Sequence, residues 1–231
     1  NIIVAGAGKG VGLQTARLLA EQNQVISISR NMTSELETLN TRFYLADLAK
    51  DNLELLNDLP ETIHGLVYCP GSINLKPFNR LSKQDFQNDF EQNVLGAVSL
   101  IQKLLPNLKR ANGASVVMFS TVASTLGMPF HASIATSKSA VEGLAKSLAA
   151  ELAVSKIRVN VIAPSLLDTS LSSFLLNTSE KREAADKRHP LQRIGTAEEI
   201  AQLVSFLLDE KSSWITGQVI GADGGLGSLK T

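Results

Sequence analysis

The stretch VVMFSTVASTLGMPFHASIATSKSAVEGLAKSLAAEL, residues 116–152, says most about the fold of this chain. It begins as an apolar strand, passes through a turn rich in Ser and Thr, and ends as a long helical pattern. The apolar positions of that helix are spaced by four, three and four residues, and the same spacing continued backwards reaches Lys138, Ile134 and His131. Because a buried ammonium is costly without partners, Lys138 is either a side chain that reaches water or a functional group.

Length and composition favour one globular domain covering residues 1–231. The 231 residues are 44% hydrophobic, and a chain of this size can bury about 70–75% of its unfolded surface. Lys plus Arg and Asp plus Glu both number 22, so no basic field favours nucleic acid as a partner. One cysteine and three histidines predict neither a disulfide framework nor a metal site.

Localisation follows from two further features of the sequence. No apolar run approaches the roughly 18 residues of a membrane span, so we expect no membrane association through a helix. Residues 1–4 already have the pattern of a strand, which predicts no signal peptide in this sequence. We therefore expect a cytoplasmic protein.

Short apolar runs alternate with helical patterns along the chain. Strands are predicted at 2–5, 24–29, 42–46, 65–69, 115–120, 158–163 and 218–222. Helices are predicted at 11–22, 34–39, 53–59, 83–108, 133–155 and 198–208, the last with a capping box at Thr196 and Glu199. Alternation with almost continuously apolar strands is typical of a parallel sheet covered by helices on both faces. Segment 170–190 is polar and irregular, which predicts either a substrate loop or lid, or a solvated helix.

A glycine-rich loop lies between the first strand and the first helix. The G-x-G-x-x-G pattern would need glycine at Val11, but a G-x-x-x-G-x-G spacing fits Gly6, Gly10 and Gly12. Glycines there permit a tight turn and a close approach of backbone amides to a pyrophosphate at the helix N-terminus. The loop predicts a Rossmann-type, doubly wound nucleotide-binding fold, the alternative being a flexible turn without a ligand.

The end of the second predicted strand bears on the choice between NAD and NADP. NAD-binding proteins place a carboxylate there for the ribose 2′-hydroxyl, whereas a nearby Arg suits a 2′-phosphate. Here the strand ends at Arg30 without a carboxylate, and Lys9 lies inside the glycine loop. Two cations favour NADP(H), unless both are merely solvated surface charges.

With these features together, the chain resembles the short-chain dehydrogenase/reductase family over nearly its full length, most closely its 3-oxoacyl-acyl-carrier-protein reductase branch. The residues that carry the resemblance are the 6–12 loop, Asp47-Leu48, Gly71, Asn93, Ser120-Thr121, Lys138, Pro164, Thr169, and the segments 158–161, 189–200 and 215–225. The resemblance implies a seven-stranded Rossmann-type sheet and hydride transfer between a nicotinamide and a small carbonyl or alcohol substrate.

The resemblance also implies residue roles. For the cofactor it implies Asp47, Leu48, Gly71, Lys138, Pro164, Leu167 and Thr169, which add to Gly6, Lys9, Gly10, Val11, Gly12 and Arg30 from the glycine loop and the end of the second strand. For catalysis it implies Lys138, Thr121 at the family's serine position, and Asn93, which organises a water that relays protons to the lysine. Asn93 also falls on the apolar face shared with Phe86, Phe90 and Ala97, where a buried amide needs partners, so a structural role is the alternative.

The family's proton donor is missing. Its motif Y-x-x-x-K reads Ile134-Ala135-Thr136-Ser137-Lys138 here, and isoleucine cannot donate a proton. His131 lies seven residues before Lys138, the Tyr-to-Lys spacing of the related enoyl reductases, and imidazole is a competent acid near neutral pH. His131 is therefore a candidate donor, the alternatives being Tyr68, substrate with water, or a His131 that simply faces solvent.

Two functions fit these residues. The first is an NADP(H)-dependent oxidoreductase that reduces a 3-oxoacyl or similar small ketone with an atypical proton donor. The second is a catalytically silent nucleotide-binding protein with a regulatory or assembly role. The family resemblance also implies a homotetramer or homodimer formed through the long helical segments 83–108 and 133–155.

Overall fold

A seven-stranded parallel sheet forms the centre of the computed structural model, which describes residues 1–50 and 53–230. The strands are β1 Ile2–Ala5, β2 Val25–Ser29, β3 Thr41–Leu45, β4 Gly65–Tyr68, β5 Ala114–Phe119, β6 Ile157–Pro164, β7 Leu167–Asp168, β8 Gly195–Thr196 and β9 Val219–Ala222. The large sheet has the order β3-β2-β1-β4-β5-β6-β9, and every neighbouring pair in it is parallel. The short strands β7 and β8 pair separately, and the sequence did not predict them.

Helices cover the sheet on both faces, which confirms the predicted doubly wound fold. They are α1 Gly10–Ala20, α2 Ser34–Glu37, α3 Lys83–Phe90, α4 Gly96–Arg110, α5 Ala132–Leu152, α6 Ser179–Lys187 and α7 Ala197–Leu208. Side chains of α4 and α5, such as Leu104 and Val141, pack with β4, β5 and β6 on one face. Side chains of α1 and α7, such as Leu13 and Val204, pack on the opposite face.

Three predicted segments differ in detail. The helix expected over 83–108 is divided, because a π-helical turn at Glu91–Leu95 separates α3 from α4. The helix expected over 53–59 is only a 3₁₀ turn at Leu53–Leu55. Segment 170–190 contains α6, whose side chains are mostly exposed, and a role of this segment as a substrate loop or lid stays a prediction.

The strand order places a binding crevice at the carboxyl ends of β1 and β4. The chain proceeds outward from β1 through β2 to β3, then returns to β4 on the other side of β1. Loops leaving the carboxyl ends of β1 and β4 therefore diverge, and in doubly wound sheets the ligand lies in the crevice between them.

In the described part of the chain, no helix is long and apolar enough to cross a membrane.

Candidate active site

The glycine loop is packed too tightly for any other residue at two positions. A Cβ atom on Gly12 would lie 2.2 Å from the carbonyl oxygen of Gly6, in the turn that leads from β1 into α1. Gly6 itself has φ of +77°, and a Cβ atom there would lie 2.9 Å from the backbone nitrogen of Pro70. The loop therefore brings the first turn of α1 directly against the ends of β1 and β4.

The two cations expected to select NADP(H) lie at the neighbouring corner. Lys9 is exposed in the glycine loop, and Arg30 is exposed directly after β2. The two segments touch, because a Cβ atom on Gly8 would lie 2.5 Å from Ser29 Oγ and Thr33 Oγ1 donates to the Gly8 carbonyl at 3.2 Å. Lys9 and Arg30 thus border one exposed corner of the crevice.

Asp47 and Leu48 follow β3 beside the start of α4. Asp47 Oδ1 accepts a hydrogen bond from the Ala49 amide at 3.2 Å, and Leu48 is buried. The Leu48 carbonyl would lie 3.0 Å from a Cβ atom on Gly96, so α4 approaches this loop closely. The arrangement is a wall at the β2–β3 side of the crevice, where the resemblance places an adenine.

Residues after β6 close the crevice from the other side. Pro164 ends β6, Leu167 is buried in β7, and the Thr169 side chain lies about 3.5 Å from the position of a Cβ atom on Gly10. Ser172 Oγ lies 3.0 Å from Thr169 Oγ1 and donates to the Thr169 carbonyl, which fixes the turn. The structure thus brings Thr169 directly to the glycine loop.

Lys138 is buried, with 7% of its surface exposed. Its Nζ donates to the carbonyl of Phe119, the last residue of β5, at 2.9 Å. Burial lowers the pKa of Lys138 to about 8, while the charge of Asp89 acts in the opposite direction. Burial also raises the pKa of the Cys69 thiol to about 12, so this neighbour is neutral near pH 8. The expectation that Lys138 simply reaches water is therefore wrong.

Asn93 lies in the π-helical turn and faces Lys138 across Gly71. Its Nδ2 donates to the Asp89 carbonyl at 2.7 Å and to Ser137 Oγ at 3.2 Å. Its Oδ1 is buried and has no hydrogen-bond partner among residues 1–50 and 53–230. A Cβ atom on Gly71 would lie 3.5 Å from Asn93 Oδ1 and 3.4 Å from Lys138 Nζ, so both polar atoms border the same point.

Thr121 and Ile134 lie at the family's serine and tyrosine positions. Thr121 is half-buried after β5, and its Oγ1 accepts from the Ala123 amide at 3.4 Å. The adjacent Ser120 is buried, and its Oγ donates to Glu142 Oε1 at 2.5 Å. Ile134 is buried in the first turn of α5, so an apolar side chain occupies the position one turn before Lys138.

The alternative proton donors are placed differently. Tyr68 donates to the Gln92 carbonyl at 2.7 Å, and burial raises its pKa well above the usual range. Its hydroxyl lies beside Gly96, near Leu48. His131 immediately precedes α5, and its Nδ1 lies 2.7 Å from the Pro129 carbonyl, which can only accept. The Nδ1 atom of His131 therefore carries a proton, and Nε2 can donate only from a doubly protonated ring.

A buried polar cluster beside these residues was not predicted from the sequence. Asp89 is buried in α3, where its Oδ1 accepts from Ser72 Oγ at 2.6 Å and its Oδ2 from Ser133 Oγ at 2.5 Å. The signal that could have found it was the spacing of four residues between Asp89 and Asn93, which places both on one helix face. His189, also missed, is buried with its Nε2 atom 2.8 Å from Ser165 Oγ.

These features fit a nicotinamide dinucleotide. The glycine loop leaves no volume for side chains beside the first turn of α1. The N-terminus of that helix favours a phosphate. A buried ammonium and the Asn93 Oδ1 atom provide polar groups at the far end of the crevice. Among the described residues, no cluster of three or more His, Cys, Asp or Glu side chains could hold a metal ion.

Comparisons with known proteins give a family model and several curated relatives. A family model described as enoyl-(acyl carrier protein) reductase matches residues 6–227. The 3-oxoacyl-acyl-carrier-protein reductase FabG of Thermotoga maritima is 31% identical, with 97% of this chain and 96% of the relative covered. A tropinone reductase homolog of Arabidopsis thaliana is also 31% identical, with 98% and 92% covered.

Solved structures with the same fold include nucleotide complexes. ElxO with NADP bound has a TM-score of 0.90 and 26% identity, covering 99% of both chains. A Tyr-to-Phe variant of ElxO with NADPH bound has a TM-score of 0.89, the same identity and the same coverage. Together with the family model and the curated relatives, these matches show that the chain belongs to the short-chain dehydrogenase/reductase family of oxidoreductases.

Proposed function

We propose that this protein is an NADP(H)-dependent reductase of a 3-oxoacyl or similar small ketone. The observation that carries the proposal is the pairing of the buried Lys138 ammonium with Asn93 Oδ1 around Gly71, at the inner end of a glycine-lined crevice. Burying both groups is costly unless a ligand or water uses them. NADPH bound in the crevice would supply a hydride to the carbonyl carbon of the substrate.

The chain's own residues supply binding, orientation and protons. Lys138 would hold the ribose hydroxyls by charge-assisted hydrogen bonds, while Asn93 Oδ1 would accept from a water that connects Lys138 to solvent. The Thr121 hydroxyl would hold the substrate oxygen, because it lies at the family's serine position. Gly6, Gly10, Val11 and Gly12 would bind the pyrophosphate, while Asp47 and Leu48 would border the adenine.

The proton donor is the unusual part of the proposal. We propose that His131 or a water supplies the proton in place of the missing phenol, since the Tyr68 hydroxyl is engaged with the Gln92 carbonyl beside Gly96. Because His131 Nδ1 already faces the Pro129 carbonyl, donation from Nε2 requires the imidazolium form.

One observation favours the second function. Ile134 is buried at the family's tyrosine position, and losing a positioned acid typically costs about 10²–10⁴-fold in rate. A catalytically silent nucleotide-binding protein would keep the glycine loop and Lys138, because both are needed for binding alone.

The choice of cofactor can be tested by titrating the purified protein with NADPH and NADH. We expect NADPH to bind more tightly, and the preference to fall by roughly 10–100-fold in Arg30→Ala, because a charge-assisted hydrogen bond contributes about 1.5–3 kcal/mol. Lys109→Ala, which removes an exposed lysine from the last turn of α4, is the control and should change neither constant. Equal affinity for both nucleotides in the wild type would reject the NADP(H) preference.

We also propose a homotetramer or homodimer through segments 83–108 and 133–155. Phe90 and Leu95 support it, because each is 39% exposed at the junction of α3 and α4, where solvation of apolar side chains is unfavourable. Phe90→Asp should therefore reduce the mass measured by light scattering to that of a smaller species. A wild-type protein that is monomeric at micromolar concentration would contradict this assembly.

A further inference from the structure

We propose that Asp89 is a positioning residue of this site, whose buried carboxylate keeps Lys138 protonated and fixes the segments on both sides of it. The inference rests on the proposed function, because it concerns how the same lysine is held ready for a nucleotide. The family resemblance implies no role for Asp89. The role is inferred instead from the buried polar cluster that Asp89 forms between α3 and α5.

The contacts of Asp89 reach each segment that frames Lys138. Ser72, which donates to Oδ1, directly follows Gly71, and a Cβ atom on Gly71 would lie 3.4 Å from Lys138 Nζ. Ser133, which donates to Oδ2, directly precedes Ile134 in the first turn of α5. The backbone carbonyl of Asp89 holds Asn93 Nδ2 and thereby leaves Asn93 Oδ1 facing the crevice.

Charge explains why a carboxylate is buried at this position. Asp89 is 3% exposed, and an ionised carboxylate in that environment is costly unless hydrogen bonds and an opposite charge compensate it. The hydroxyls of Ser72 and Ser133 provide the hydrogen bonds. Lys138 provides the opposite charge: burial lowers the pKa of Lys138, and Asp89 raises it. An apolar residue would join α3 to α5 equally well, but it would leave the ammonium without this partner.

The other titratable groups around Lys138 do not substitute for Asp89. Cys69, at the end of β4, carries a neutral thiol because burial raises its pKa to about 12. Glu142, one turn further along α5, accepts a hydrogen bond from Ser120. His131, immediately before the first residue of the same helix, carries no negative charge in either of its forms.

The test measures the titration of Lys138 directly, in the protein without nucleotide. Lysine side chains are labelled with ¹³C, and the Lys138 signal is identified by its absence from Lys138→Arg. We expect the Lys138 transition to move roughly 0.5–1 pH unit lower in Asp89→Asn, because removal of a nearby negative charge destabilises the ammonium. Glu91→Gln, which removes an exposed carboxylate from the following turn, should leave it unchanged.

The outcomes separate the role of Asp89 from the proposed function. If a folded Asp89→Asn protein shows the same midpoint pH for the Lys138 titration as the wild type, the role of Asp89 is overturned, even if the wild type binds NADPH. A shifted transition in a protein that binds no nucleotide would support the role of Asp89 and reject the function. If the protein is active, the high-pH decline of kcat should move by the same amount.

A second measurement covers the case in which Asp89→Asn does not fold. The protonation state of Asp89 is read from its ¹³C-labelled carboxyl carbon in the wild type, at the neutral pH at which nucleotide binding is measured. A protonated Asp89 at neutral pH would overturn the proposal, because a neutral acid offers no charge to Lys138. Ser133→Ala keeps the charge of Asp89 but removes one of its hydrogen bonds, so it should lower Tm. The midpoint pH of the Lys138 titration in Ser133→Ala should remain higher than the midpoint in Asp89→Asn.

Discussion

Ile134→Tyr is expected to raise kcat for reduction of a 3-oxoacyl thioester by about 10²–10⁴-fold, the usual contribution of a positioned acid. Residue 134 lies in the first turn of α5, one turn before Lys138, so a tyrosine hydroxyl there would extend into the crevice that Lys138 faces. The positive charge of Lys138 would lower the pKa of that hydroxyl. The measurement is steady-state oxidation of NADPH with the substrate at saturation.

The matched control is Ile134→Phe, which adds the same ring without the hydroxyl. We expect Ile134→Phe to give no gain in kcat, because the ring alone donates no proton. An equal gain from both variants would show that shape rather than acid chemistry had changed.

His131→Ala tests the native proton donor. If His131 is the native donor, this change should slow the wild type about 10²-fold or more and have little effect when combined with Ile134→Tyr. An unchanged wild-type rate would reject His131 as the donor.

Lys138→Met is expected to weaken NADPH binding by roughly 10–100-fold and to reduce turnover further. Methionine fills a similar volume, but it provides no charge for the ribose hydroxyls and leaves the Phe119 carbonyl without its donor. Calorimetric titration gives the dissociation constant, and single-turnover reduction gives the rate. The exposed Lys146→Met, two turns along α5, is the control and should bind as the wild type does.

The pH dependence gives a second signature of Lys138. Its pKa is lowered to about 8, so the ammonium is present below pH 8 and is lost as pH rises through that value. NADPH affinity and turnover should therefore decline above about pH 8 in the wild type. Lys138→Met should lack this decline, since nothing at position 138 titrates; a wild-type profile that stays flat well above that pH would contradict a role for the ammonium.

Much of the fold could be predicted from the sequence, because local pattern determined it. Short, nearly continuous apolar runs marked the seven strands, and the Thr196–Glu199 capping box correctly marked the start of α7. The division of segment 83–108 was not predicted, since a π-helical turn inserts only a small phase change into an otherwise helical pattern. The β7–β8 pair was missed because two-residue strands have no periodicity to detect.

The site was predictable only where a residue type and its spacing carried the signal. The apolar stripe placed Lys138 in line with buried positions but left open whether its side chain reaches water, and the face shared with Phe86 and Phe90 indicated Asn93. The spacing of Asp89 and Asn93 could have placed Asp89 on the same helix face, but its partners Ser72 and Ser133 could not be predicted, because they are distant from it in sequence. Such clusters depend on tertiary contacts that no local pattern specifies.

The π-helical turn at Glu91–Leu95 restricts how this region can change during evolution. A widened turn holds one residue more than an α-helical turn would, and Asn93 uses its own amide to occupy the Asp89 carbonyl. Loss of a single residue from this turn would restore the α-helical hydrogen-bond pattern, in which each carbonyl accepts from the backbone amide four residues later. That amide would compete with the Asn93 side chain for the Asp89 carbonyl, and the Asn93 side chain would lose the contact that now orients its Oδ1 atom. A deletion of one residue here is therefore expected to alter the site more than most substitutions of exposed residues in the same turn.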